Sequence, residues 1–379
     1  METILPNLEE LGRQLRMLDR HLINLLARRM DIARKVEEYK RVKNQLILRQ
    51  DIEDARLSQY KEWAHESGLN PNFISAIMYQ VIAESCRVQF DQHQRQTPLP
   101  ITPVSDEEYN ALLKRNLLRL TEKWAPRYDQ DYATAYPATK MYFRFEGRLI
   151  EQEISHLIDK NIALDLGCAT GRRTRKLSKS FSQVFGYDIS PAMISEASEI
   201  IKQSDPDRYG TVSFVAIDLE YGIPRDKNEA SFVVMSLGTG SDIKNIADVL
   251  KEVKRVLVPG GRFLMSFYNA DALIYRWRFL PWPTPLAAEI NMTKHCLDVH
   301  YRGEIYSVYA RPYTVSEIHE LLDKSGLTLT DIFTYPTISS ILPQNIFEND
   351  NIRGPMSEIE ENLSRLYGGA YIIAMGSKQ

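Results

Sequence analysis

Cysteine is scarce in this sequence: Cys86, Cys168 and Cys296 stand far apart among 379 residues, without the paired spacing of a disulfide framework or a thiolate zinc site. That excludes a small disulfide-stapled secreted fold and agrees with a reducing compartment. Charge of one sign is also lacking. A net charge of −3 supplies no global basic field, which argues against nucleic acid as a partner and favours a small molecule. No apolar run approaches the length of a bilayer span, and the opening Met1-Glu2-Thr3-Ile4-Leu5-Pro6 has acid where a secretory leader carries positive charge. A cytoplasmic protein without membrane contact is expected. Asp, Glu and His do not converge in a metal-ligand spacing, so no metal is expected either.

What is present divides in two. A chain of this length exceeds one ordinary hydrophobic core, and the prolines at 98, 100 and 103 interrupt it where neither a helix nor a central strand tolerates them. The sequence predicts a helical domain over 1–95, a linker and connecting helix over 96–125, and an α/β domain over 126–379.

In the first part, Leu8, Leu11, Leu15, Leu18, Leu22 and Leu25, then Arg29, Ile32, Val36 and Tyr39, recur at steps of three and four. This is the seam of one long packed helix, from about Leu8 to Lys43. At roughly 50 Å it is too long to bury that seam inside a ninety-residue monomer, so a second chain is expected to cover it. Arg29 interrupts the apolar register, and a buried guanidinium calls for an anion, a carboxylate or a phosphate. A second helix is expected from a cap at Asp51 to before Gly68. A third should start at Asn70-Pro71 and run to about Gln92, with Ile74, Ile77, Val81, Ser85 and Gln89 inward.

Residues 8–92 resemble the all-helical chorismate mutase family, including isochorismate-pyruvate lyases. The resemblance rests on Leu25-Leu26-Ala27-Arg28-Arg29-Met30-Asp31-Ile32-Ala33, Lys40, the stretch Gly68 to Phe73, Ala83-Glu84-Ser85 and Gln89. It implies an intertwined homodimer whose pocket holds a dicarboxylate enol ether. Arg29 would then meet a carboxylate, Lys40 and Gln89 would stabilise charge on the ether oxygen, and Glu53 and Ser85 also fall on family positions. Two family arginines fall on Gly12 and Ile52, with Arg16 one turn from the first and Arg49 and Arg56 flanking the second. The domain therefore reads either as a dimerisation and ligand-sensing module or as a working pericyclic enzyme.

In the second part, Ile162 to Leu166 is an apolar run leading into Gly167-Cys168-Ala169-Thr170-Gly171, after which a helical pattern starts. Glycines in such a turn let the backbone approach a ligand, and the helix start offers free amides. The next predicted strand, Val184 to Asp188, ends in an acid able to grip ribose hydroxyls. The glycines are not spaced as Gly-x-Gly-x-x-Gly and no Gly-Lys-Ser/Thr occurs, which disfavours dinucleotides and nucleoside triphosphates.

With Asp188 to Ile194, Phe214 to Glu220, Ser231 to Gly238 and Arg255 to Ser266 following in order, the region resembles class I S-adenosylmethionine-dependent methyltransferases. That resemblance implies a Rossmann-like α/β domain with a seven-stranded, mostly parallel sheet, and S-adenosyl-L-methionine as cofactor. Asp165, Gly167 and Gly171 would shape the methionine side, Asp188 would hold ribose, Ile189 would pack on the adenine, and Leu219 would also bind the cofactor. Asp218 would accept from the adenine amine, or else cap the turn after its strand; Ser236 would begin the acceptor-facing loop.

Tyr128, Tyr132 and Tyr136 recur every fourth residue, as a core stripe or as cofactor contacts. Residues 268–313 are crowded with aromatics and arginines and read as a substrate lid or packed insertion: an aromatic flap over Trp277 to Pro285, then a hairpin over Lys294 to Tyr313. Tyr268, His295 and His300 are candidate bases there, none assigned. The combined expectation is a methyltransferase for a small carboxylated or aromatic shikimate-related metabolite, with a bifunctional mutase and a non-enzymatic sensor as alternatives.

Overall fold

A computed structural model describes residues 7–43, 50–96, 105–133, 137–276, 287–302, 304–342, 347 and 349–379. The chain splits into two compact units, Met1–Thr102 and Pro103–Gln379.

The first unit contains α1 (Leu8–Val42), α2 (Gln50–Glu66) and α3 (Pro71–Gln96). Asn7 caps α1 by accepting from the Glu9 amide at 2.9 Å. Helix α2 starts before Asp51, which therefore lies inside its first turn rather than at the cap. Its end is closed by Gly68 N to His65 O and Leu69 N to Ala64 O. Asn70 caps α3 through the Asn72 amide, with Pro71 as first helical residue.

Within the single chain the leucine seam is not interior: Leu15 is 62% exposed, and Leu18, Leu22 and Leu25 are also more than half exposed. Length explains this, since α1 extends about 52 Å and α3 only about 39 Å. Where the two pack, α1 buries Ala33 and Glu37, and α3 buries Val81, Ile82, Ser85, Val88 and Gln89. Ile77, expected on that inward face, is 39% exposed.

The second unit is built on a seven-stranded sheet. Its strands are β1 (Ile162–Leu166), β2 (Gln183–Asp188), β3 (Val212–Ala216), β4 (Ala230–Met235), β5 (Leu257–Tyr268), β9 (Thr328–Tyr335) and β10 (Tyr371–Ser377). Their order is β3-β2-β1-β4-β5-β10-β9, parallel from β3 to β5, with β10 antiparallel to both its neighbours. This is the expected mostly parallel sheet.

Side chains alternate between two cores. Leu164, Val233, Met235, Phe263 and Met265 face one with α8 (Ile246–Val256) and α10 (Val315–Ser325). Ala163, Phe232, Val234, Leu264 and Ile373 face the other with α5 (Pro137–Ser155), α6 (Arg172–Leu177) and α7 (Pro191–Ser204). Ile246, Val249, Leu250, Val253 and Val256 give α8 one continuous buried stripe. Short α9 (Leu273–Arg276) follows β5, and α11 (Asp350–Leu363) precedes β10.

Helix α4 (Asp106–Trp124), expected as part of a connector, belongs to the second unit. A capping box starts it: the Glu108 amide donates to Ser105 Oγ at 3.2 Å, and Ser105 N donates to the Glu108 carboxylate at 3.0 Å. It packs on a three-stranded antiparallel sheet of β6 (Ala287–Asn291), β7 (Cys296–Tyr301) and β8 (Glu304–Tyr309). Leu120, Trp124, Val299, Tyr301, Tyr306 and Val308 form the small core between them. The hairpin read from the sequence is β7–β8, and β6 adds a strand not anticipated; the flap over Trp277 to Pro285 lies outside the described residues.

Candidate functional site

Five parallel strands end along one edge of the second unit, with β1 between β2 and β4 where the winding reverses. Sheets of this kind bind ligands at that crevice. The turn after β1 is pinned from below: Gly167 N and Cys168 N both donate to Tyr187 O, at 2.8 and 2.9 Å. Gly171 takes φ +75°, and a Cβ there would meet the Phe214 ring at 2.6 Å, so the turn tolerates no side chain at this point.

Asp188, at the end of β2, accepts from Ala169 N through Oδ2 and from Ser190 N through Oδ1, each at 2.9 Å. Burial pushes its carboxyl above the usual range, the two amides opposing this. A carboxylate oxygen with one amide partner retains a lone pair, so the acid can still receive the two hydroxyls of a ribose. Ile189 beside it is half-buried. The turn, the acid and the half-buried isoleucine fit a nucleoside-bearing cofactor.

Other expected ligands are placed differently. Asp165 is buried and accepts from Thr174 Oγ1 at 2.6 Å; burial raises its carboxyl to about 6, with Thr174 opposing. It ties the start of α6 to β1 rather than opening toward a ligand. Asp218 caps the turn after β3 by accepting from Glu220 N at 3.0 Å, and also pairs with Lys114 Nζ at 2.6 Å. Lys114 pairs with Glu220 as well, at 2.7 Å. Burial pulls Lys114 down, but bonds to the two acids outweigh it and hold the ammonium above its ordinary value. Leu219 is buried in the core.

Ser236 follows β4 directly and so begins the loop expected to face the acceptor, but its own hydroxyl turns inward. Its hydroxyl donates to Glu146 Oε2 at 2.9 Å, inside a buried set in which Arg173 also pairs with Glu146 and Tyr142 donates to Glu146 Oε1 at 2.8 Å. A buried arginine with its carboxylate and two hydroxyls satisfied is a rigid strut between α5, α6 and β4.

The loop after β4 reaches Asp242, which the sequence reading did not single out. Around it stand Tyr268 at the end of β5, Tyr371 at the start of β10, and Tyr128 and Tyr132 after α4. Tyr132 and Tyr371 share a hydroxyl contact at 3.3 Å, the Tyr268 and Tyr371 rings lie 5.8 Å apart, and the Tyr128 and Tyr132 rings 5.7 Å apart. Trp124 meets Tyr128, Tyr132 and Tyr301 at 4.8 to 5.9 Å between ring centres. Of the tyrosine stripe, Tyr136 lies outside the described residues. His295 is half-buried in the turn before β7 at φ +49°, and the His300 side chain lies outside the described residues.

In the first unit, Arg29 is half-buried and bonded to protein oxygen: Nη1 donates to Val81 O at 3.0 Å and to Ser85 Oγ. Arg29 is thus half-buried rather than buried, and α3 already partners it through Nη1. Ser85 in turn donates to Val81 O at 2.7 Å, and Gln89 Nε2 donates to Ser85 O at 3.1 Å, while Gln89 Oε1 is buried without a partner. Lys40 lies three helical turns beyond Arg29 on a similar face, half-buried. Arg29, Ser85 and Gln89 are thus brought together, whereas the Glu53 side chain and Arg49 lie outside the described residues. Arg16 Nη1 lies 3.6 Å from where a Cβ on Gly12 would stand.

Among the described residues no group of three His, Cys, Asp or Glu could hold a metal ion, and no helix is long and apolar enough to cross a membrane. Residues 11–90 match the family model for chorismate mutase type II, and residues 163–261 match that for a methyltransferase domain. The chain is 30% identical over 106 residues to a demethylmenaquinone methyltransferase of Tropheryma whipplei, covering 28% of this chain and 41% of that protein. It is also 30% identical over 129 residues to a malonyl-[acyl-carrier protein] O-methyltransferase of Alcanivorax borkumensis, covering 34% and 41%. The chain therefore spans about two-fifths of the length of these curated relatives. A solved S-adenosylmethionine-dependent methyltransferase from Listeria monocytogenes aligns at TM-score 0.40 and 19% identity, over 60% of this chain and 97% of that one.

Proposed function

We propose, for a chain that carries a chorismate mutase type II domain at 11–90 and a class I S-adenosylmethionine-dependent methyltransferase domain around 163–261, that it methylates a small shikimate-related metabolite in the cytoplasm. The observation that carries this is Asp188, locked by the Ala169 amide to the glycine turn it would share a ligand with. S-adenosylmethionine supplies an electrophilic methyl group; this chain's part is to bind, orient and exclude water. The turn 167–171 would border the methionine end, Asp188 the ribose and Ile189 the adenine. The tyrosines at the ends of β5 and β10 would hold a planar acceptor. The acceptors named for the two curated relatives, a quinone precursor and a carrier-bound malonyl group, differ in chemistry and do not choose one here.

The helical unit would serve as the dimer seam and as a site for a carboxylated ligand, with roles in secondary metabolism. A second reading makes it an active mutase, favoured by Arg16 lying over Gly12 and so returning a guanidinium to the position where the resembled family has one. Incubating the full chain with methyl-labelled cofactor and cell metabolite extract tests the first reading: a labelled small molecule and S-adenosylhomocysteine are expected, and neither forming would overturn it. Consumption of chorismate by the same chain tests the second.

A further inference from the structure

The loop following β4 is shaped around one ring. Gly238 takes φ +85°, and a Cβ there would run into the Tyr268 ring; at Gly240 it would run into Phe267. Tyr268 is fixed again through its backbone, its N donating to Ser241 Oγ at 2.8 Å and its O accepting from Tyr313 N at 2.9 Å. The ring so placed brings its hydroxyl onto the Asp242 carboxyl. Asp242 thus ends the glycine loop bonded to Tyr268, and near enough to Asp188 and Tyr128 for their charges to be felt. These three are the titratable groups that bear on it among the described residues. None of these is a cation, so among the described residues no opposite charge faces Asp242.

We infer that Asp242, oriented by Tyr268, is the group that takes the proton from the methyl acceptor, and that the acceptor is a hydroxyl on a planar ring or enol held against Tyr132, Tyr268 and Tyr371. This rests on the methyltransferase reading and deepens it. A carboxylate acceptor arrives without a proton and needs no base, whereas a phenol or enol does. The acceptor oxygen's lone pair forms the bond to the methyl carbon, the carbon–sulfur bond breaks with its electron pair kept by sulfur, and the hydroxyl proton passes to Asp242. Burial pushes the Asp242 carboxyl up to about 8, with Asp188 adding to it and Tyr268 opposing. This brings it closer to a phenol than an ordinary carboxylate stands, as efficient proton transfer requires.

The test needs no known acceptor. The full chain is titrated at pH 7.5 with S-adenosylmethionine and, separately, with S-adenosylhomocysteine, by calorimetry in buffers of different ionisation enthalpy. The sulfonium charge should drive the proton off Asp242, releasing roughly half a proton or more; the neutral thioether should not. Asp188 meets the same ribose in both, so it cancels in the difference. Asp242→Asn should abolish the difference while keeping affinity for the thioether, and Tyr268→Phe should move its pH midpoint upward. With labelled cofactor and metabolite extract, Asp242→Asn should lower the rate of labelling by about 10²- to 10⁴-fold. An unchanged proton difference, or unchanged labelling, in Asp242→Asn overturns the inference and leaves the methyltransferase reading intact. Binding of neither compound by the wild-type chain overturns both.

Discussion

The two units differ in what they leave outside. In the second, β1 and β4 carry apolar residues with no exposed surface, and the polar groups sit at strand ends or in closed sets such as Arg173 with Glu146. In the first, α1 leaves its leucines outside, while Glu37, Ser85 and Gln89 are interior. A unit that hides polar groups and shows apolar ones has not completed its core within one chain. The second unit has; the first would be completed, in the reading proposed above, by something that covers leucine on one face and meets Arg29, Ser85 and Gln89 on the other.

The largest expected effect breaks this contrast at the seam. Leu18→Glu with Leu22→Glu should weaken self-association of the full chain by about 6 kcal/mol, counting four leucines at ~1.5 kcal/mol each. Light scattering should then fall from a two-chain to a one-chain mass; an unchanged mass would mean that the exposed stripe is not the interface. The same substitution at Ile158, fully exposed on the second unit, should leave mass and stability within about 0.5 kcal/mol.

Next in size is the polar face. Prephenate or a related dicarboxylic acid at a hundredfold excess over its dissociation constant should stabilise the first unit by about 2.7 kcal/mol, read as a raised melting temperature. Arg29→Met should abolish the shift. No shift with any such acid would reduce Arg29 to a structural bond with Val81 O and Ser85.

On the second unit, Asp188→Ala should cost about 2 kcal/mol of cofactor affinity by calorimetry, since charge-assisted bonds to ribose are lost. Unchanged affinity would move the site away from the β2 end.

The smallest step, counted for one group over one pH unit, sharpens the contrast through pH. Asp165 and Asp242 are raised in the folded state to about 6 and about 8, above the unfolded value near 3.8. Their folded forms bind protons more tightly, so the stability they contribute is full below pH 4 and is lost as pH rises toward 8. The slope is at most about 1.4 kcal/mol per pH unit for each group. Thermal melts of the second unit's transition from pH 5 to 8.5 should show this decline, and Asp242→Asn should flatten its upper half.

Much of the sheet was legible because buried parallel strands read as short apolar runs between turn glycines, as at Ile162 to Leu166 and Ser231 to Met235. Asp188 was legible for a related reason: the strand that carries it ends where the periodicity breaks. The bond from Ser236 to Glu146 was not legible, because that partner lies ninety residues earlier on α5 and no local pattern announces the meeting. Asp242 had a local signal, an acid closing Gly238-Thr239-Gly240-Ser241, but its meaning depends on Tyr268 and Asp188, which only the sheet order brings near. Tyr371 reaches the same edge because β10 runs backwards, a fact of topology rather than of spacing. In the helical unit, the register of the seam was visible, yet periodicity cannot tell a face covered by the same chain from one left for another.

Helix α4 joins two of these features in one rigid piece. Lys114, bound to Asp218 and Glu220 beyond β3, and Trp124, set among Tyr128, Tyr132 and Tyr301, are ten residues apart on the same helix, about 15 Å. Lys123 on the same helix is paired as well, with Glu304 at 2.8 Å, so dissolved salt screens charges beside Asp218 and beside the aromatic wall alike, and the exposed pair at the wall is the one it weakens more.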